Sequence, residues 1–278
     1  MTILEFTLLI WAAAFTAGLL GALTGLGGGV VIVPLLSLAF DVDLRYAIGA
    51  SLVSVIATSS GAAAAYVKEG FTNMRIGMFL ELATTLGALT GAFVALLVSS
   101  SVIAIIFGGV LLISAWLSSR PRVERPPSGP PDPWARRLKL DGAYPGPDGP
   151  IAYGVQRIPI GFGLMYIAGV LSGLLGIGSG AVKVLAMDQA MGIPFKVSTT
   201  TSNFMIGVTA AASAGVYLSR GYIDPRLAMP VVLGVLPGAL LGAWILPRAK
   251  TAWLRRIFAV VIFALAIEMI VNGWMGKI

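Results

Sequence analysis

The sequence predicts an all-α polytopic membrane protein. It reads as two five-segment inverted repeats, residues 1–118 and 152–278, each with a glycine-broken short helix, joined by a small proline-rich cytoplasmic linker with a β-hairpin. Three observations carry this reading. Of 278 residues, 57% are hydrophobic and only 11% charged, and the mean hydropathy is +0.92. Long apolar runs recur along the chain. The second half repeats the first at an offset of 151 residues.

Composition sets the exclusions. Soluble domains carry about a quarter charged residues, and a soluble chain of this length cannot hide so much apolar surface. Soluble enzymes and nucleic-acid binders are set aside. Without cysteine there are no disulfides, thiolate nucleophiles or thiolate metal sites. Without histidine there is no imidazole catalysis or ligation. No metal site and no cofactor is expected.

A bilayer core of about 30 Å takes about 20 apolar residues of helix to cross. Apolar runs fall at 3–24, 30–40, 46–67, 74–98 and 102–118, then at 157–175, 181–191, 197–218, 227–246 and 253–272. The first lacks a basic start and runs straight into a glycine cluster, so it reads as a retained span and not a cleavable signal. The runs at 30–40 and 181–191 reach only about 16 Å at 1.5 Å per residue. They follow Gly-Leu-Gly-Gly-Gly at 25–29 and Gly-Ile-Gly-Ser-Gly at 176–180. Both are therefore expected to begin inside the hydrocarbon, where protein or water covers the freed backbone groups.

Residues 119–156 interrupt this pattern with Arg120, Arg122, Arg125, Arg136, Arg137 and Lys139 spread among prolines. The stretch 121–133 reads as an extended linker. Segments 138–144 and 151–157 flank Pro-Gly-Pro-Asp-Gly-Pro, which suggests a polar β-hairpin, with a disordered loop as the alternative. The chain thus divides into a first transmembrane repeat (1–118), a cytoplasmic linker (119–156) and a second repeat (157–278).

At the offset of 151, Gly18, Gly25, Gly27, Gly29, Gly70, Gly87 and Gly91 fall on Gly169, Gly176, Gly178, Gly180, Gly221, Gly238 and Gly242. Tyr66 meets Tyr217, and Ser51 meets Ser202. Five segments per half make the halves inverted; merging each short helix with its predecessor leaves four and makes them parallel. With the linker in the cytoplasm, five segments place 14 Lys and Arg inside against 4 outside, whereas four give 12 against 6. The positive-inside rule selects inverted repeats with both termini periplasmic.

Inverted repeats with helices broken near mid-membrane form a transporter architecture, with substrate at the repeat interface. The broken ends leave backbone N–H groups carrying partial positive charge, which favours an anion. This nominates Gly27, Gly28, Gly29, Gly178, Ser179 and Gly180 for substrate binding. The competing reading is close helix packing, preferred for Gly18, Gly87, Gly91, Gly238 and Gly242. Lys183 lies in the first turn of the second short helix, opposite Ile32 in the repeat. A cation there opposes the helix dipole and needs an anion, bound or side-chain, unless its long stem snorkels to an interface. Residues 198–203, Ser-Thr-Thr-Thr-Ser-Asn, are polar where their counterpart 47–52 mostly is not. Thr200, Thr201, Ser202 and Asn203, with the matched Ser51, are candidate donors to an oxyanion. Ser198 reads as a cap, and the alternative for the whole run is capping and interhelical bonding. Glu81, two turns into its helix, is the proton-coupling candidate; Glu268 is placed nearer an interface. Isolated carboxylates without a nucleophile or base do not make a hydrolase, so no enzyme is expected.

These residues carry a resemblance to the sulfite exporter TauE/SafE family, also called the toluene-sulfonate uptake permease family. The motifs are Gly-Leu-Leu-Gly-Ala-Leu-Thr-Gly-Leu-Gly-Gly-Gly-Val-Val-Ile-Val-Pro at 18–34 and Ala-Ile-Gly-Ala-Ser-Leu at 47–52. In the second half they are Gly-Leu-Leu-Gly-Ile-Gly-Ser-Gly at 173–180 and the helix start at 201–204. The resemblance implies transport of sulfur oxyanions or organosulfonates across a bacterial inner membrane, in a family similar to both exporters and uptake systems. Where the family's second cluster often repeats Gly-Gly-Gly, this chain has Gly-Ser-Gly at 178–180, which makes the half-sites unequal. The expectation is a secondary transporter, an exporter of small anions such as sulfite or organosulfonates, acting by alternating access. Its partners are the anion and the bilayer; nothing in the sequence specifies an oligomer. An anion channel and a membrane subunit of a larger complex are the alternatives, and Lys183 disfavours a cation transporter.

Overall fold

The computed structural model describes residues 2–24, 28–68, 70–119, 132–146, 149–245 and 251–278. Gly27, most of the 121–133 stretch and the basic pair Arg248 and Lys250 lie outside the described residues. The first half contains α1 (Ile3–Thr24), α2 (Gly29–Pro34), α3 (Leu44–Lys68), α4 (Met74–Leu97) and α5 (Ser100–Ser119). Next come α6 (Pro133–Arg137) and the strands β1 (Gly142–Gly146) and β2 (Gly149–Tyr153). The second half contains α7 (Ile158–Leu175), α8 (Gly180–Leu185), α9 (Phe195–Ser219), α10 (Pro225–Ile245) and α11 (Thr251–Trp274).

Among the described residues, four helices are long and apolar enough to cross a membrane: Leu4–Gly21, Met74–Leu97, Ile158–Leu175 and Pro225–Gly242. Shorter apolar helices occupy Ser100–Trp116 and Ala259–Trp274. With 25 residues, α9 is longer than these but dilutes its hydropathy with serine and threonine. It tolerates them because Thr201, Ser202, Thr209 and Ser213 are buried against protein. The chain is a polytopic membrane protein.

The offset of 151 reappears in the elements. Helix α2 and its following π turn, Leu35–Ala39, recur residue for residue as α8 and the π turn Ala186–Ala190, as does α3 in α9. The packing obeys the same exchange: α1 lies along α10 and α4 along α7, while α3 packs on α9 and α5 on α11. Glycines set these crossings. A Cβ on Gly169 would meet the Thr84 carbonyl oxygen and one on Gly173 that of Ala88; Gly234 and Gly238 stand likewise against Trp11 and Phe15. Residue numbers rise together, so these pairs run parallel, at the close approach that small residues permit. The matched pairs run the other way. Gly49 abuts Tyr222 while Gly207 abuts Ser59, and Gly108 meets Ile270 while Gly273 meets Ser101.

The described part of the linker, 132–146 and 149–156, packs as a cap against α4 and α7. Asp132 caps α6, its Oδ1 accepting from the Trp134 N–H at 2.9 Å, with Pro133 in the first position, where no donor is needed. The hairpin pairs antiparallel from Gly142↔Tyr153 to Gly146↔Gly149, reaching further into the Pro-Gly segment than the sequence suggests. Pro145 and Pro150 face each other, which a two-stranded ribbon accepts because each strand has an unpaired edge. Ala135, Leu140, Tyr153 and Val155 are buried together with Ile76 and Leu80 of α4, Met165 of α7 and Met191. Asn73 ties the cap down: its Oδ1 accepts from Ile76 N, and its Nδ2 donates to the Leu140 carbonyl at 3.0 Å and the Tyr153 hydroxyl at 2.8 Å. Burial pushes the Tyr153 phenol up from its ordinary value, against the opposing Asn73 hydrogen bond.

Candidate functional site

The two helix breaks differ in backbone. In the second, Gly176, Gly178 and Ser179 take φ of +69°, +70° and +48°, a left-handed run that glycine accepts freely and serine does not. In the first, Gly28 is right-handed, at φ −67°. The two breaks meet. A Cβ on Gly29 would lie 2.7 Å from Val55 Cγ2 and 3.2 Å from the Gly176 carbonyl oxygen. Ser51 of α3 donates to that same Gly176 oxygen at 2.8 Å and stands 3.5 Å from the Gly29 oxygen. The matched Ser202 of α9 donates to the Gly180 oxygen at 3.3 Å. Gly28, Gly29, Gly178, Ser179 and Gly180 are all buried. Gly29, Gly178 and Gly180 face α3 and α9, whereas Gly28 faces Val235 of α10 and Gly18 of α1.

Lys183 does not snorkel. Its residue exposure is 0%, and Nζ donates to Thr209 Oγ1 at 2.6 Å. Thr209 in turn donates to Glu81 Oε1 at 2.7 Å, an oxygen that also accepts from Thr85 at 3.1 Å. The anion that the position of Lys183 demands is thus supplied in part by Glu81, reached through one hydroxyl. The ammonium has three donors, and among the described residues only one takes a partner. Glu81 Oε2 and the hydroxyls of Ser179 and Ser172 are buried without a hydrogen-bond partner among the described residues. Buried polar groups are normally satisfied, so the orphaned Glu81 Oε2 beside the Lys183–Thr209 link and the orphaned Ser179 hydroxyl at the start of α8 stand out. Thr72 and Thr199, nearer the cap, have orphaned hydroxyls as well.

The remaining candidates separate. Thr200 Oγ1 donates back to the carbonyls of Lys196 and Val197, and Thr201 Oγ1 accepts from Asn73 N at 3.1 Å. Both hydroxyls therefore serve α9 and its junction with α4. Ser198 bonds the Ile193 carbonyl at 3.1 Å, and Asn203 is half-buried. Glu268 is exposed on α11. Sequence reasoning missed Thr209, which lies two helical turns beyond Ser202 on one face of α9. A signal was there: Thr209 falls on Thr58 at the repeat offset.

Both ends of the α3–α9 pair carry a cation over an aromatic ring. The Arg45 guanidinium stands 5.8 Å from the Tyr222 ring centre, and Lys196 Nζ stands 5.8 Å from that of Phe71. The offset maps Arg45 onto Lys196 and Phe71 onto Tyr222, so these contacts are repeat partners. Tyr222 also packs on Tyr46 and Tyr217, and Phe71 on Tyr144 of the hairpin. An open cavity of about 320 Å³ between the hairpin and the start of α4 is lined by Phe71, Asn73, Arg75, Asp141 and Tyr153. Among the described residues, no group of three acidic side chains could hold a metal ion.

A family model described as Sulfite exporter TauE/SafE matches residues 10–269. The chain is 29% identical over 277 residues to the probable membrane transporter protein YunE of Bacillus subtilis (strain 168), covering 97% of this chain and 99% of that one. It is 25% identical to a probable membrane transporter protein of Xylella fastidiosa (strain 9a5c), covering 99% and 98%. It is 24% identical to the probable membrane transporter protein MJ0441 of Methanocaldococcus jannaschii, covering 96% and 97%. No solved structure matches. The family match spans both helical halves, both glycine breaks and Lys183, and on that ground the chain belongs to the sulfite exporter TauE/SafE family.

Proposed function

We propose that this membrane transporter is a secondary carrier that exports small sulfur-containing anions, such as sulfite or organosulfonates, by alternating access. The observation that carries the reading is Lys183: a fully buried cation in a broken helix, with two ammonium donors unpartnered among the described residues and the orphaned Ser179 hydroxyl at the start of the same helix. A tetrahedral or pyramidal oxyanion would take N–H and O–H donors from the two breaks and charge from Lys183. Gly28, Gly29, Gly178, Ser179 and Gly180 would line it, with Ser51, Ser202 and Asn203 beside them. Thr200 and Thr201 stand towards the linker side, and Glu81 carries the coupling proton.

The antiparallel course of α3 against α9 and of α5 against α11 supports inverted repeats. A two-fold axis across matched helices reverses them, whereas an axis along them would leave them parallel. The paired cation–aromatic contacts then close opposite faces, and rocking one repeat against the other opens them in turn. By the charge count, the linker is cytoplasmic and both termini are periplasmic in a bacterial inner membrane.

The test combines thermal shift with counterflow on the purified protein in detergent and in proteoliposomes. Sulfite or methanesulfonate should raise the melting temperature, since a ligand at 100 times its Kd stabilises by about 2.7 kcal/mol. Either should also show saturable uptake accelerated by unlabelled anion inside. Unsaturable flux without counterflow would mean a channel. Stabilisation by neither anion would remove the sulfur-anion assignment.

A further inference from the structure

We propose that Thr209 positions a charge exchange in which Glu81 holds Lys183 while the site is empty and releases it by taking a proton, so that each monoanion crosses with one proton. This rests on the reading that Lys183 binds the transported anion.

The Thr209 hydroxyl has one proton to give. It accepts from Lys183 at 2.6 Å and has three acceptors in reach: Glu81 Oε1 at 2.7 Å, the Met205 carbonyl at 2.9 Å and Thr84 Oγ1 at 3.4 Å. While Glu81 is ionised, the charge-assisted bond to the carboxylate wins. Once Glu81 is protonated, it becomes a poorer acceptor, and the hydroxyl turns to the Met205 carbonyl, the back-bond that threonine readily makes in helices. The first repeat shows this default. Its matched Thr58 has Ile32 where Lys183 stands and Val232 in place of Glu81, and its hydroxyl donates to the Ser54 and Val55 carbonyls.

The charges close. Lys183 and ionised Glu81 sum to zero. A bound monoanion would leave one uncompensated negative charge in apolar surroundings, which is costly. A proton passing from water to Glu81 Oε2, the buried oxygen without a partner among the described residues, restores zero without making or breaking any bond in the substrate. Several other ionisable groups on the packed elements make contacts elsewhere. On α4, Arg75 reaches the Lys139 carbonyl; on α7, Tyr166 bonds Thr90. On α9, Lys196 lies over Phe71 and Tyr217 bonds the Gly173 carbonyl; in the cap, Asp141 accepts from Val155 N and Tyr153 from Asn73. Lys183 reaches Glu81 through the Thr209 hydroxyl.

The test uses methanesulfonate, a permanent monoanion that cannot carry the proton itself, in proteoliposomes containing a pH dye under a potassium potential set with valinomycin. Wild-type uptake should acidify the lumen by one proton per anion and ignore the potential. Thr209→Ser should behave alike. Thr209→Val, which removes the hydroxyl at nearly constant volume, should slow uptake about tenfold and move the alkaline limb of the rate–pH profile up by about one unit, because the donor favouring ionised Glu81 is gone. A purely packing role for Thr209 would lower the rate without moving that limb. Wild-type flux that follows the potential with no proton movement, or a Thr209→Val profile superimposable on wild type, overturns the inference and leaves anion transport standing. Failure of wild type to move either methanesulfonate or sulfite overturns the transport reading, and this inference with it.

Discussion

Lys183→Ala should lower anion flux in proteoliposomes about 100-fold while the double variant Lys183→Ala with Glu81→Gln restores stability without restoring flux. A hydrogen bond to a charged group contributes about 1.5–3 kcal/mol, and each 1.4 kcal/mol is tenfold in binding. The single variant also strands Glu81, which is 8% exposed, without the cation it reaches through Thr209. Breaking a buried charge pair costs about 3–5 kcal/mol, so the single variant should express poorly. Glu81→Gln removes that charge and so restores folding. Because Glu81 also carries the coupling proton, the flux of the double variant is judged against that of Glu81→Gln alone. Recovery of flux in the double variant would show that Lys183 does not bind the anion.

Phe71→Ala and Tyr222→Ala should loosen opposite ends of the molecule. Each removes the ring beneath a cation, Lys196 or Arg45, at 5.8 Å. Such contacts contribute about 0.5–2 kcal/mol, enough to shift a balanced equilibrium about 2- to 30-fold. In hydrogen exchange, Phe71→Ala should speed exchange at the starts of α4 and α9, and Tyr222→Ala at the starts of α10 and α3, because local opening tracks local stabilisation. The tie from Asn73 to the hairpin adds bonds at the first end, so its response should be the smaller. Identical exchange maps for the two variants would deny that the contacts hold separate faces.

The helical layout was legible because it rests on local chemistry. Glycine clusters ahead of truncated apolar runs gave both broken helices to within one residue, and the repeat offset recurs in α2–α3 and α8–α9. The φ of +69° at Gly176 and +70° at Gly178 is the conformation for which glycine is suited. The site was half legible. Lys183 stood out because a cation in the first turn of a buried helix is unfavourable by itself, and Glu81 because carboxylates within spans are rare. Their pairing was not legible: 102 positions separate them, and only the packing of α4 on α9 brings Thr209 between them. Ser51 and Ser202 were matched by the repeat, but that both bond carbonyls of the breaks is a tertiary fact. Helix α6 escaped notice because five residues ahead of a turn carry too little periodicity to register.

Sided labelling of a single cysteine at the second break tests the central claim most directly. The chain contains no cysteine, so Ser179→Cys places one thiol of similar size at a buried, orphaned hydroxyl. An impermeant maleimide should modify it in both right-side-out and inverted vesicles, because the centre opens to each face in turn, and methanesulfonate should slow both reactions. Labelling from one face alone, or labelling that the anion leaves unchanged, would contradict an anion site reached alternately from both sides.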